Sequence, residues 1–87
     1  DTDNLTQNIN KLLKDNPSDY ELWNKKGKLL SNLNRYEEAL ECFNNVLNLN
    51  QDHFGALNNR GAMLMNLGDY NKAIESFDKA VSTNPEC

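Results

Sequence analysis

Apolar residues recur at helical spacing from one end of this chain to the other. Leu5, Ile9, Leu12 and Leu13 make a first stripe, at steps of four, three and one. A second runs through Leu22, Trp23, Lys26, Leu29, Leu30 and Leu33, and a third through Tyr36, Ala39, Leu40, Phe43, Val46 and Leu47. Nowhere does the sequence alternate apolar and polar residues as a half-buried strand would. Polar breaks at Asn16 to Asp19, Asn34-Arg35, Asn50 to His53 and Gly68-Asp69 separate the stripes. Breaks this short force neighbouring helices to run antiparallel. Pro17 closes the first segment, because the residue before a proline avoids the helical region, and Asp1 or Asp3 can cap its start. The pattern predicts an all-α fold of five helices, near residues 3–15, 20–33, 37–49, 54–67 and 71–83.

The same pattern is written twice: Trp23 to Leu30 returns as Leu57 to Leu64, and Asn32 to Phe43 returns at the same offset as Asn66 to Phe77. A fixed period of about 34 residues means stacked supersecondary units, not one unique core. Gly27 and Gly61 fall in helix interiors, where glycine costs about 1 kcal/mol against alanine. The same cost at the same register in both copies predicts close approach of another helix. Ala39 and Ala73 would close each pair tightly, with Phe43 and Phe77 filling the wider end. Such arrays enclose little and present a long surface, so a binding or assembly module is expected, not an enzyme.

Trp23, Gly27, Tyr36, Ala39 and Phe43, and again Gly61, Tyr70, Ala73, Phe77 and Pro85, carry a resemblance. In identity, order and period they closely resemble the signature of the tetratricopeptide repeat. The resemblance implies a right-handed α-α superhelix of antiparallel helix pairs. It divides the chain into a half repeat and turn over 1–19, repeat one over 20–53 and repeat two over 54–87. In the half repeat, Leu5 stands where Ala39 does, Ile9 where Phe43 does and Pro17 where Pro85 does. Two positions depart: Gln51 replaces the proline expected in repeat one, and Leu57 stands where repeat one has Trp23. A polar residue can close that turn, and leucine can fill a tryptophan pocket with some loss of packing.

Thirteen acidic against nine basic residues leave a net charge of −4. That argues against nucleic acid, where a basic face supplies most of the affinity, and against an anionic membrane surface. No apolar run approaches the roughly 20 residues a spanning helix needs. No charged-then-apolar leader is visible, although the abrupt start at Asp1 leaves room for a removed signal or earlier domain. Cys42 and Cys87 set no disulfide framework; Cys42 reads as a small apolar residue and Cys87 as a loose terminal thiol. A reducing, cytoplasmic home is the implication. Asparagine is abundant, and its amide competes for backbone hydrogen bonds, so packing more than propensity must hold these helices.

No catalytic, cofactor or metal constellation is expected. His53 has no second histidine or paired cysteine to work with and reads as a solvated loop residue. Glu37, Glu38 and Glu41 lie in the first turns of a helix, where the dipole favours negative charge. Lys26 lies on an apolar stripe, where its stem snorkels.

The family resemblance implies that the first helix of each pair forms an inner, concave wall that holds a peptide or partner helix. Carried over by position, Glu21, Asn24, Lys28, Ser31 and Asn32 would line it in repeat one. Gly55, Asn58, Asn59, Ala62, Met65 and Asn66 would do so in repeat two, with Asp52 and His53 at the edge between them. Independently of the family, Asn24, Lys28 and Ser31 fall at i, i+4 and i+7, and Asn58, Ala62 and Met65 repeat the stripe. Asparagine amides both donate and accept, so they can hold an extended backbone without demanding a sequence. An ordinary wet helix face explains the same stripe, and both readings stay open. Some family members clamp the terminal carboxylate of heat-shock chaperones over three repeats. Here only Asn59 matches, Asn24 and Lys28 stand where a lysine and an asparagine would be, and the resemblance does not extend to that ligand.

The expected function is thus a protein–protein interaction scaffold that takes a protein or peptide ligand, cut from a longer array. The alternative is a self-assembling module that stacks weakly end to end. Its motive is Ile74, Phe77 and Val81 on the last helix, where solenoids normally carry a polar cap.

Overall fold

The computed structural model of the protein describes residues 2–83, and their side chains from residue 4. The sequence readings at Asp1, Pro85 and Cys87, and the side chain of Asp3, lie outside the described residues. Five α-helices follow in order: α1 (Thr2–Asp15), α2 (Tyr20–Asn32), α3 (Tyr36–Leu49), α4 (Phe54–Asn66) and α5 (Tyr70–Thr83). Each expected segment is a helix to within one residue at either end.

The turns between helices are built twice, in the same register. α2 ends with Asn34 at φ 61°, and α4 ends with Gly68 at φ 85°. These left-handed residues let the Arg35 N–H reach Leu30 O, and the Asp69 N–H reach Leu64 O, both at 2.9 Å. Such backward bonds satisfy carbonyls that a helix end leaves orphaned. Glycine adopts this conformation freely; asparagine tolerates it with local hydrogen bonding, and Asn34 Oδ1 accepts from the Tyr36 hydroxyl at 2.8 Å. The starts of α2 and α4 also match. Asp19 Oδ1 accepts from the Glu21 N–H at 3.1 Å, and His53 Nδ1 accepts from the Ala56 N–H at 3.0 Å.

Two apolar clusters hold the stack. Leu30, Ala39, Cys42, Phe43 and Met63 form the first, drawn from α2, α3 and α4. Val46, Leu47, Ala56, Leu57 and Ala80 form the second, from α3, α4 and α5. Helix α3 contributes to both clusters, as does α4, and these two are the most thoroughly buried elements. Ser76 is fully buried in α5 and still satisfied: its hydroxyl donates to Leu57 O at 2.6 Å and accepts from Arg60 Nε at 3.1 Å.

The close approach at the helical glycines has a different partner from the one expected. A Cβ at Gly27 would stand 2.6 Å from the Phe43 ring, and one at Gly61 would stand 2.6 Å from the Phe77 ring. The missing methyl makes room for the aromatic edge, while Ala39 and Ala73 are buried beside it. Phe77 is therefore committed to packing inside its own helix pair, and does not belong with Ile74 and Val81 on an open face.

Cys42 is buried within the first cluster. Burial pushes its thiol from an ordinary 9.0 up to about 11; Lys26 opposes the rise, and Glu41 and Glu38 add to it. The folded chain therefore keeps a proton that the unfolded chain releases. This contribution to stability is intact below pH 9.0 and is lost as pH rises towards about 11. It amounts to roughly 2–3 kcal/mol. Urea denaturation across that window should show a steeper loss in the native chain than in Cys42→Ala.

Candidate functional site

The helices follow one another in contact, α1 on α2, α2 on α3, α3 on α4 and α4 on α5. Beyond these neighbours only the backbones of α2 and α4 approach closely; among the described residues no Cα of α1, α3 or α5 comes within 8 Å of one in another of these three. A stack in which only the first helices of successive pairs approach is curved, with α2 and α4 on the inside.

The start of that inner wall is cross-linked. His53 Nε2 lies 2.9 Å from Glu21 Oε1, across the whole length of repeat one, and the His53 ring meets Tyr20 edge to face with centroids 5.5 Å apart. With Nδ1 accepting from Ala56, the ring satisfies both contacts when Nε2 carries the proton. His53 is thus a half-buried cap and cross-link, not the solvated loop residue its polar neighbours implied. Glu21 stands exposed on the wall but is tied to it.

The remaining candidate residues divide into three settings. Asn24 is only 6 % exposed, and its Oδ1 has no hydrogen-bond partner. It lies within one helical step of Gly27, where the buried arc of α2 is wider than one stripe because α1, α3 and α4 all contact that helix. It does not stand on the open wall. On α4, Asn58, Met65 and Asn66 are exposed, while Gly55, Asn59 and Ala62 are half-buried. Ala62 packs against the first cluster and so serves the core as well as the wall. On α2, Ser31 is half-buried, and Lys28 and Asn32 are exposed and line a notch between α1 and α2. Asp52 is exposed in the turn before α4. Lys26 spreads over Trp23, its Nζ 5.5 Å from the ring centroid, as snorkelling requires.

Sequence reasoning missed that notch. It holds about 260 Å³ and is lined by Leu5, Ile9 and Leu29, with Lys25, Lys28 and Asn32 at its rim. The leucine and isoleucine spacing was legible, but not that α1 leaves part of its apolar face open: Leu5 is 51 % exposed. Among the described residues, no group of three or more histidines, cysteines or carboxylates could hold a metal ion. Nor is any helix among them long and apolar enough to cross a membrane.

Comparison with known proteins agrees with this architecture. A family profile for the tetratricopeptide repeat matches residues 20–53 and 55–87. Among solved structures, MamA MSR-1 superposes with a TM-score of 0.90 at 23 % identity, over 97 % of this chain and 48 % of its own. A second MamA structure reaches a TM-score of 0.94 at 14 % identity, over 98 % of this chain and 50 % of its own. YrrB, described as a TPR protein with an unusual peptide-binding site, matches with a TM-score of 0.84 at 28 % identity, over 90 % of this chain and 40 % of its own. The chain thus spans half or less of the structures it resembles. No curated protein matches it in sequence. With two repeats matched and the stack superposed on these structures, the chain belongs to the tetratricopeptide repeat family.

Proposed function

We propose that this chain is a protein–protein interaction scaffold that holds an extended peptide or partner helix against the concave wall of α2 and α4. The observation that carries this reading is the arrangement of the stack: α2 and α4 approach each other while α3 and α5 do so only through α4, and Asn58, Met65 and Asn66 are exposed along α4. Amides offer a donor and an acceptor to a peptide backbone, and methionine adapts its shape to varied apolar side chains. The peptide-binding site ascribed to YrrB supports the same role on this fold. The test is a random-peptide display selection against the 87-residue chain. A selected peptide should bind several-fold more weakly to Asn58→Ala and to Asn66→Ala, because each lost neutral hydrogen bond costs about 0.5–1.5 kcal/mol. Undiminished binding to both, with loss instead on replacing Glu37 and Lys72, would move the ligand to the outer helices.

A second reading, self-association through the end faces, is favoured by one observation. Ile74 and Val81 on α5 are 57 % and 62 % exposed, whereas their counterparts one repeat earlier, Leu40 and Leu47, are packed into the cores that α3 shares with α4.

A further inference from the structure

Arg60 is held in place but not neutralised. Its Nε donates to the Ser76 hydroxyl at 3.1 Å, and Ser76 is fully buried and itself anchored to Leu57 O at 2.6 Å. Among the described residues the guanidinium makes no ion pair, and its terminal nitrogens have no hydrogen-bond partner. The repeat supplies a comparison. One repeat earlier, Lys26 stands for Arg60, Cys42 for Ser76 and Trp23 for Leu57. There the cation lies over the Trp23 ring; with leucine in that place, Arg60 has no ring to cover it. Arg60 lines a crevice of about 270 Å³ with Leu40 and Asn44 of α3, Leu64 of α4, and Lys72 and Glu75 of α5. Leu64 is buried and Leu40 and Arg60 are half-buried, while Asn44, Lys72 and Glu75 stand exposed at the rim. Lys72 lies 3.7 Å from Asp69, and Glu75 makes no ion pair. Arg60 and Leu64 are one turn apart, on the face of α4 roughly opposite Asn58 and Met65. The crevice is therefore separate from the wall that α4 shares with α2.

We infer that this crevice binds a carboxylate side chain of a partner protein, presented beside a branched apolar one. A guanidinium fixed at Nε offers its terminal nitrogens to both oxygens of a carboxylate at once. Its partial burial screens that attraction less than at an open surface. A phosphate, with nearly two negative charges, exceeds the one unpaired cation and would be repelled more strongly by Glu75. Leu40 and Leu64 receive the apolar side chain, and the Asn44 amide is placed to meet the segment's backbone. The volume falls below the roughly 300–1,000 Å³ of sites that enclose whole small molecules, and so suits one or two side chains of a larger ligand. This site goes beyond the inner-wall reading: it is a second ligand position on another face of α4, and either can fail alone.

Nuclear magnetic resonance titration of the isotope-labelled 87-residue chain tests this with the capped peptide acetyl-Gly-Leu-Asp-Leu-Gly-amide. The amide signals of Leu40, Asn44, Arg60, Leu64 and Lys72 should move together. The same peptide with Asn in place of Asp should bind about tenfold more weakly, having lost the charged acceptor. Inorganic phosphate should move these signals less than the Asp peptide does at equal concentration. Arg60→Gln leaves Ser76 its bond to Leu57, so it should keep the native circular dichroism and weaken the Asp peptide about tenfold. Arg60→Lys should weaken it several-fold, because the charge remains without the fork. Glu75→Gln, at an exposed position, should strengthen it several-fold by removing the like charge. If Arg60→Gln loses its fold, Glu75→Gln decides alone. No shift at millimolar peptide, or shifts confined to the Asn58 and Met65 face, would overturn the crevice as a site. Equal binding of the two peptides, or of the Asp peptide to native chain and Glu75→Gln, would overturn its charge assignment. Phosphate matching the Asp peptide would overturn the side-chain ligand.

Discussion

Replacing Phe43 with alanine is expected to remove about 3–5 kcal/mol of stability, the range for losing a large aromatic from a core. A chain of this length has roughly 4–13 kcal/mol in total, so much of the Phe43→Ala population should be unfolded at physiological temperature. The ring is 1 % exposed and packs in the first cluster, where α2, α3 and α4 meet. The neighbours cannot collapse into the void without parting the two repeats. Phe77→Ala, the same change in the second repeat, should cost distinctly less. That ring is only half-buried at the end of the stack, and solvent already reaches part of its site. Urea titration of both variants checks the pair. Equal losses would contradict the view that the interface between repeats, not the individual helix pair, holds the core.

Gly27→Ala is expected to destabilise by about 1–3 kcal/mol, as overpacking does, although alanine is the better helix former by about 1 kcal/mol. The added methyl would meet three atoms of the Phe43 ring at 2.6, 2.8 and 3.0 Å, and a buried ring has nowhere to go. Gly61→Ala meets Phe77 at almost the same distances. There the half-exposed ring can swing outwards, so steric cost and propensity gain should nearly cancel. A thermal melt showing Gly27→Ala as stable as the native chain would mean that Phe43 shifts freely, and would also undercut the loss expected for Phe43→Ala.

Much of the architecture could be read before any coordinates, because a helix facing a single neighbour writes its contact as a stripe of leucines and aromatics. The five helices, the repeat and the two structural glycines all came from that spacing. What was illegible lies where an element has more than one neighbour. Asn24 looks like part of a polar stripe, yet α2 is approached from three sides and its buried arc reaches that residue. His53 looks solvated because its sequence neighbours are polar; its real partners are Glu21, at the far end of repeat one, and the N–H of Ala56. The notch escaped for the same reason. Its floor is drawn from α1 and α2, and spacing along either helix cannot say which part of an apolar stripe its neighbour leaves open.

The half-open packing of α1 also bears on the order in which the molecule comes apart. Among its described residues only Leu13 is buried, whereas α3 lies within both clusters. In a stack where each element is stabilised mainly by its neighbours, stability is a sum of local terms and openings begin where a term is smallest. Helix α1 is that place. It can fray while the block from α2 to α5 stays folded, and when it frays the notch disappears with it. Occupancy of the notch and order in α1 are then one equilibrium: whatever fills the notch acts as a clasp on the helix that forms half of its wall.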